Sequence, residues 1–80
     1  MDHEAVLSFE YRSPERACRV ERALRPEIGD IDDDRSNATL ARDDATVSVT
    51  VAASDLVALR AGLNTWLSLV TVAETVGQAV

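Results

Sequence analysis

From Ala5 to Arg12 apolar and polar residues alternate, with Leu7, Phe9 and Tyr11 on one face and Val6, Ser8, Glu10 and Arg12 on the other. A period of two predicts a half-buried strand. Ser13-Pro14 then opens a helix, since serine caps well and proline suits the first helical position. Ala17, Val20 and Leu24 recur at helical spacing along it. Pro26 ends the run, because the residue before a proline avoids helical dihedrals. Pro26 to Ser36 is a polar, acidic loop. Asn37–Arg42 and Ala45–Ala53 read as a hairpin about an Asp43-Asp44 turn, with Val47, Val49 and Val51 facing away from Thr46, Ser48 and Thr50. Ser54 or Asp55 caps a longer helix that runs to near Gly77.

The order β-α-β-β-α predicts an α+β fold. A helical crossover between the first two strands is right-handed and leaves them parallel. The third strand, antiparallel to its hairpin partner and the most β-branched of the three, then fits between them. The expectation is a three-stranded sheet of order 1-3-2, with both helices on one face and residues 1–80 forming one domain.

At 100° per residue, the long helix presents two apolar faces. Leu56, Leu59, Leu63, Trp66, Leu67, Val70 and Ala73 gather on one, which belongs on the sheet. Ala58, Ala61, Gly62, Leu69, Val72 and Val76 gather roughly opposite, with a polar edge of Arg60, Asn64, Thr71 and Gln78 between. Glycine inside a helix costs about 0.8–1 kcal/mol relative to alanine, so Gly62 points to a close packing contact. The second face is either covered by the first helix or open to a partner. The first helix is short and its stripe narrow, so an open face is expected, and open apolar helix faces mark partners.

Charge changes the picture in two ways. Fourteen acids face eight bases, every base is arginine, and the net charge is −6. That excess disfavours non-specific nucleic-acid binding by bulk charge. Carboxylates without lysine suit concentrated salt, where screening shortens repulsion, and point to a halophile, while a high-GC bacterial genome would also favour arginine over lysine. Yet five of the eight arginines lie between Arg12 and Arg25. Arg16, Arg19, Arg22 and Arg25 read either as a phosphate-contacting stripe or as a solvated face with Glu15–Arg19 and Glu21–Arg25 pairs.

Little here suggests catalysis. Eighty residues cannot enclose a roomy active site and keep a full core. One cysteine permits no internal disulfide. His3, the single histidine, sits at a terminus expected to fray. Asp30, Asp32, Asp33 and Asp34 lack the ligand spacing of a calcium loop. No glycine-rich phosphate cradle is present, and the Gly-x-x-Gly of a working KH domain is missing. No catalytic residue, cofactor, metal site or small-molecule substrate is assigned. The N-terminus lacks the basic region of a signal peptide, and polar residues interrupt the apolar C-terminal stretch, so the expectation is a soluble, cytoplasmic chain.

One segment is distinctive. Ala53-Ser54-Asp55-Leu56-Val57-Ala58-Leu59-Arg60-Ala61-Gly62-Leu63-Asn64-Thr65-Trp66-Leu67 resembles the A-x-D-x-x-A-L-R-A-x-L-N-S/T-aromatic-L segment of the Pcc family of small KEOPS subunits. Leu7-Ser8-Phe9-Glu10-Tyr11, Ser13-Pro14-Glu15-Arg16-Ala17 and Asp34-Arg35-Ser36 are also similar to that family, so nearly the whole chain is covered. Asp55, Leu59, Arg60, Leu63 and Asn64 carry the motif. Gly62 departs from it, standing where alanine or serine is more frequent, and the Asp30–Asp34 loop is unusually acidic. The resemblance implies a truncated KH-like fold, a homodimer, and docking to the ATP-binding transferase subunit that makes threonylcarbamoyladenosine on tRNA. It also implies a non-catalytic role that includes contact with tRNA in the assembled complex. A stand-alone KH-like RNA-binding module and a small ferredoxin-like regulatory domain are the alternatives. The missing Gly-x-x-Gly disfavours the first and the missing sixth element the second.

The acid excess predicts that repulsion weakens the fold at low ionic strength. Thermal melts in KCl should show a midpoint that rises from millimolar to molar salt. A flat midpoint would show that repulsion is not limiting.

Overall fold

In the computed structural model, residues 2–30, 32 and 35–79 are described, with side chains through Val76. The chain runs β1 (His3–Glu10), α1 (Pro14–Leu24), a 3-10 turn (Arg25–Glu27), β2 (Ser36–Asp43), β3 (Thr46–Ala53) and α2 (Leu56–Ala79). The sheet has the order β1-β3-β2, and β3 is antiparallel to both neighbours. This is the α+β arrangement that the periodicity predicts.

The pleat decides what lies inside. Val47, Val49, Val51 and Ala53 are all buried, while Thr46, Ser48, Thr50 and Ala52 between them are half-buried on the opposite face. Leu7 of β1 and Leu40 of β2 flank Val49 in one row across the sheet. Ala17, Val20 and Leu24 of α1 close over that face together with Trp66, Val70 and Ala73 of α2. Both helices therefore cover the same side, as expected. The other side stays open, with Val6 exposed and Ser8 Oγ in hydrogen-bond contact with Ser48 Oγ.

Local chemistry sets the element ends. The Ser13 hydroxyl accepts from the Arg16 N–H at the start of α1, and proline follows it. Pro26 ends the α-helix at Leu24 and sits within the 3-10 turn that follows. The hairpin loop is Asp44-Ala45, one residue later than expected, because Asp43 pairs with Thr46. Asp44 takes the left-handed φ of 56° that aspartate tolerates better than most residues. His3, expected to fray, is instead the first residue of β1, opposite Ala53. Of the acidic loop, Asp30 and Asp32 are exposed, and Asp33 and Asp34 lie outside the described residues. Asp32 Oδ1 accepts from the Ala38 N–H at 3.0 Å, so one backbone donor of edge strand β2 is satisfied within the chain.

Over Leu56–Val76, α2 is long and apolar enough to cross a membrane by length and composition. In this fold one side of it lies on the sheet. Gly62 is where the two layers come closest: a Cβ there would stand 2.9 Å from Val51 Cγ1. The glycine thus faces the sheet and not, as its helical angle had suggested, the outer side of the helix. A valine on a central strand has few other rotamers to retreat to. Gly62→Ala should therefore destabilise by about 1 kcal/mol, as overpacking outweighs the gain in helix propensity. In a double-mutant cycle with Val51→Ala, most of that penalty should vanish. Chemical denaturation checks both outcomes, and a stabilised Gly62→Ala would refute the close contact.

Candidate protein-docking surface and arginine face

Asp55 anchors the start of α2. Its carboxylate accepts from the Ala58 N–H at 2.8 Å and pairs with the Arg35 guanidinium at 2.5 Å. The amide hydrogen bond, then the arginine, hold its carboxyl below the usual aspartate range. Arg35 in turn accepts the Ser54 N–H on its carbonyl, so the end of the hairpin and the helix start are tied together. Asp55, among the motif residues, is thus the N-cap. Leu59 and Leu63 pack on the core, and Arg60 and Asn64 are exposed.

The exposed side of α2 carries Val57 (71% exposed), Ala61, Val72 (60%) and Val76 (53%). These four fall within about 100° of the helix circumference. Of the six residues expected on the second face, Ala61, Val72 and Val76 are open. Ala58 is half-buried, Leu69 packs against the core, and Gly62 meets Val51. Conversely, Leu56 and Leu67 were expected on the sheet but are 61% and 43% exposed. The sheet is too narrow to reach them, and they form an outer flank beside Leu63. The polar-edge residue Gln78 lies outside the residues with described side chains. Where α2 passes the start of β2, Val57, Ala58, Ala61, Gly62 and Thr65 line an open groove of about 190 Å³ with Arg35 and Ser36. The small side chains there leave room for another chain to approach closely.

Among the described residues, one polar side-chain contact ties the far half of α2 to the sheet. The Tyr11 hydroxyl donates to Glu74 Oε2 at 2.9 Å, joining the end of β1 to the last turns of the helix. Burial, then this carboxylate, pushes the Tyr11 phenol well above its ordinary value.

On α1, Arg16, Arg19, Arg22 and Arg25 are all exposed, but they are not equivalent. Arg25 pairs with Glu21 at 2.5 Å, as its spacing predicts. Glu15 and Arg19 form no ion pair among the described residues. Glu21 also takes Arg42 Nε of β2 at 3.0 Å, and these two bonds, Arg42's first, lower its carboxyl below the usual glutamate range. Sequence spacing gave no hint of Arg42, which is remote along the chain. Its register opposite Val47 could have signalled it, because that parity puts it on the helix side of the sheet. Cys18 is half-buried beside this cluster. Among the described residues no group of histidine, cysteine, aspartate and glutamate could hold a metal ion.

The family model described as "Transcription factor Pcc1" matches residues 4–78. The chain belongs to the Pcc1 family. This is the family whose helix-start motif the Asp55–Asn64 segment resembles, and the match spans every element of the fold. The solved structure entitled "Crystal structure of binary complex Gon7-Pcc1" contains a chain with a TM-score of 0.84 to this one. The likeness covers 98% of this chain and 95% of that one at 14% identity, so it is a likeness of fold. A search of curated proteins found no match.

Tyr11 is the single tyrosine, so its ionisation can be followed alone. Its folded value lies above the unfolded value of 10.0, so the stability it contributes is complete below pH 10 and is lost as pH rises toward the folded value. Ultraviolet titration should show phenolate only well above pH 10, or together with alkaline unfolding. Glu74→Gln should bring the titration down towards that of free tyrosine. Normal titration in the folded chain would disprove the clamp.

Proposed function

We propose that this chain is a non-catalytic scaffold subunit of a KEOPS-type complex in the cytoplasm of a halophilic archaeon. In this reading it supports threonylcarbamoyladenosine modification of tRNA. It works as a homodimer and docks the ATP-binding transferase subunit through the outer side of α2, while the arginines of α1 contact tRNA in the assembled complex. Membership in the Pcc1 family and the fold shared with a Pcc1 complex support it. The observation that carries it is the outer side of α2: Val57, Val72 and Val76 stand in water on a helix whose opposite side is already committed to the core. Burying such a stripe against a partner recovers roughly 25 cal/mol for each Å² removed from water. Two sheet edges in so small a domain favour pairing of two copies, and self-association would bury more of its surface. A stand-alone RNA-binding module would place the function on α1 alone and leave the apolar side of α2 without a role.

Val72→Glu tests the docking surface. Val72 is already exposed, so the free domain should change by no more than about 0.5 kcal/mol. In the complex the new carboxylate would be buried without a partner, and affinity for the transferase subunit should fall by roughly two orders of magnitude or more. Val70→Glu is the contrast: it places a charge inside the core and should prevent folding. Unchanged affinity of the Val72→Glu variant, measured by calorimetry with the transferase subunit, would rule out this side of α2 as the docking surface.

A further inference from the structure

We propose that Arg19, Arg22 and Arg42 form one phosphate-binding site, with Glu21 as the residue that positions Arg42. The site deepens the tRNA-contact part of the reading above. Its test needs neither the transferase subunit nor the assembled complex, so either can fail alone.

Three observations converge. First, the three arginine side chains line a single shallow, open depression on the surface, together with Pro14, Glu15 and Cys18. They come from two elements, α1 and β2, so the grouping is created by the fold. Second, Arg19 and Arg22 form no ion pair among the described residues, although the chain carries a large excess of carboxylates. Arg25, from the same stripe, is taken up by Glu21 and is not part of the depression. Third, Arg42 is held from two sides. Its Nε donates to Glu21 Oε1 at 3.0 Å and its Nη1 to the Asp44 carbonyl at 3.0 Å. A guanidinium so oriented has already lost the side-chain freedom that binding would otherwise cost, and its Nη2, engaged by neither contact, is left to donate to a phosphate oxygen.

The ligand chemistry is a phosphate group with at least two accessible oxygens, borne either by an RNA backbone or by a small phosphate compound. Glu15 among the lining residues disfavours a diffuse polyanion contact, since binding then depends on the arginine geometry and not on bulk charge. The net charge of −6 makes the same demand.

The experiment follows the arginine Nε–H signals of the full chain by NMR. In separate titrations it receives sodium pyrophosphate and a short single-stranded oligoribonucleotide. Saturable shifts are expected at Arg19, Arg22 and Arg42. Saturation with the oligonucleotide alone identifies a polynucleotide backbone, and saturation with pyrophosphate alone a small phosphate ligand. Arg22→Gln and Arg42→Gln should each weaken binding by roughly three- to tenfold, and in the RNA titration each should flatten the logarithmic salt slope by about one unit. Arg60→Gln removes the same charge from exposed α2 and should change nothing. Glu21→Ala separates positioning from bulk charge. It makes the chain less negative, so simple electrostatics predicts tighter binding, whereas loss of the Arg42 orientation predicts weaker binding. Tighter binding by Glu21→Ala, equal weakening by Arg60→Gln, or no saturable shift with either probe would overturn the proposal.

Discussion

The structure depends on the inward row of the central strand. Val47, Val49, Val51 and Ala53 are buried on one face of a sheet only three strands wide, and everything that covers them must fit above that narrow strip. Two helices share the task. α1 contributes Ala17, Val20 and Leu24, and α2 contributes Trp66, Val70 and Ala73. Gly62 lets the backbone of α2 lie closer to Val51 than any residue with a Cβ would allow. Interiors are close-packed, so this contact sets the height of the helix above the sheet and the positions of the side chains along it.

The same narrowness leaves an apolar surface of α2 uncovered. A helix as long as α2 presents more apolar circumference than three strands and a short helix can cover. Val57, Val72 and Val76 remain in water on the outer side, and Leu56 and Leu67 on a flank. Asp55 at one end and the Tyr11–Glu74 hydrogen bond near the other hold the helix to the domain, so this surface is presented in one orientation. A preformed surface keeps the ordering cost of association low, which is what a scaffold requires.

Charge follows a different division of the molecule. The sheet's outer rows carry Glu4, Glu10 and Asp43, while α1 turns its arginines away from the sheet. Within that helix one carboxylate sorts the stripe. Glu21 engages Arg25 and Arg42, and among the described residues Arg19 and Arg22 form no ion pair. Of four similar arginines one is thereby taken up in an ion pair, and Arg42 is added to the group from another element.

The element order, the strand order, the shared face of the two helices and the buried stripe of α1 were all legible in the sequence. Alternation and helical spacing are local consequences of backbone geometry, and connection handedness prunes the topologies that remain. The Pcc-type motif and a cap at Ser54 or Asp55 were legible for the same reason, since both are short-range patterns; the structure selects Asp55. Three features were settled only by the tertiary structure. Helical angles placed Gly62 with the outer residues and Leu56 and Leu67 with the inner ones; the width of the sheet and the path of α2 across it decided otherwise. The hairpin turn moved by one residue, because pairing register across strands selects which aspartate takes the left-handed conformation. Arg42 joined Glu21 across 21 residues of sequence because strand parity aimed it at α1. Periodicity states which residues share a face of their own element. Which part of that face meets another element depends on how much surface each has to cover, and that is a property of the assembled layers.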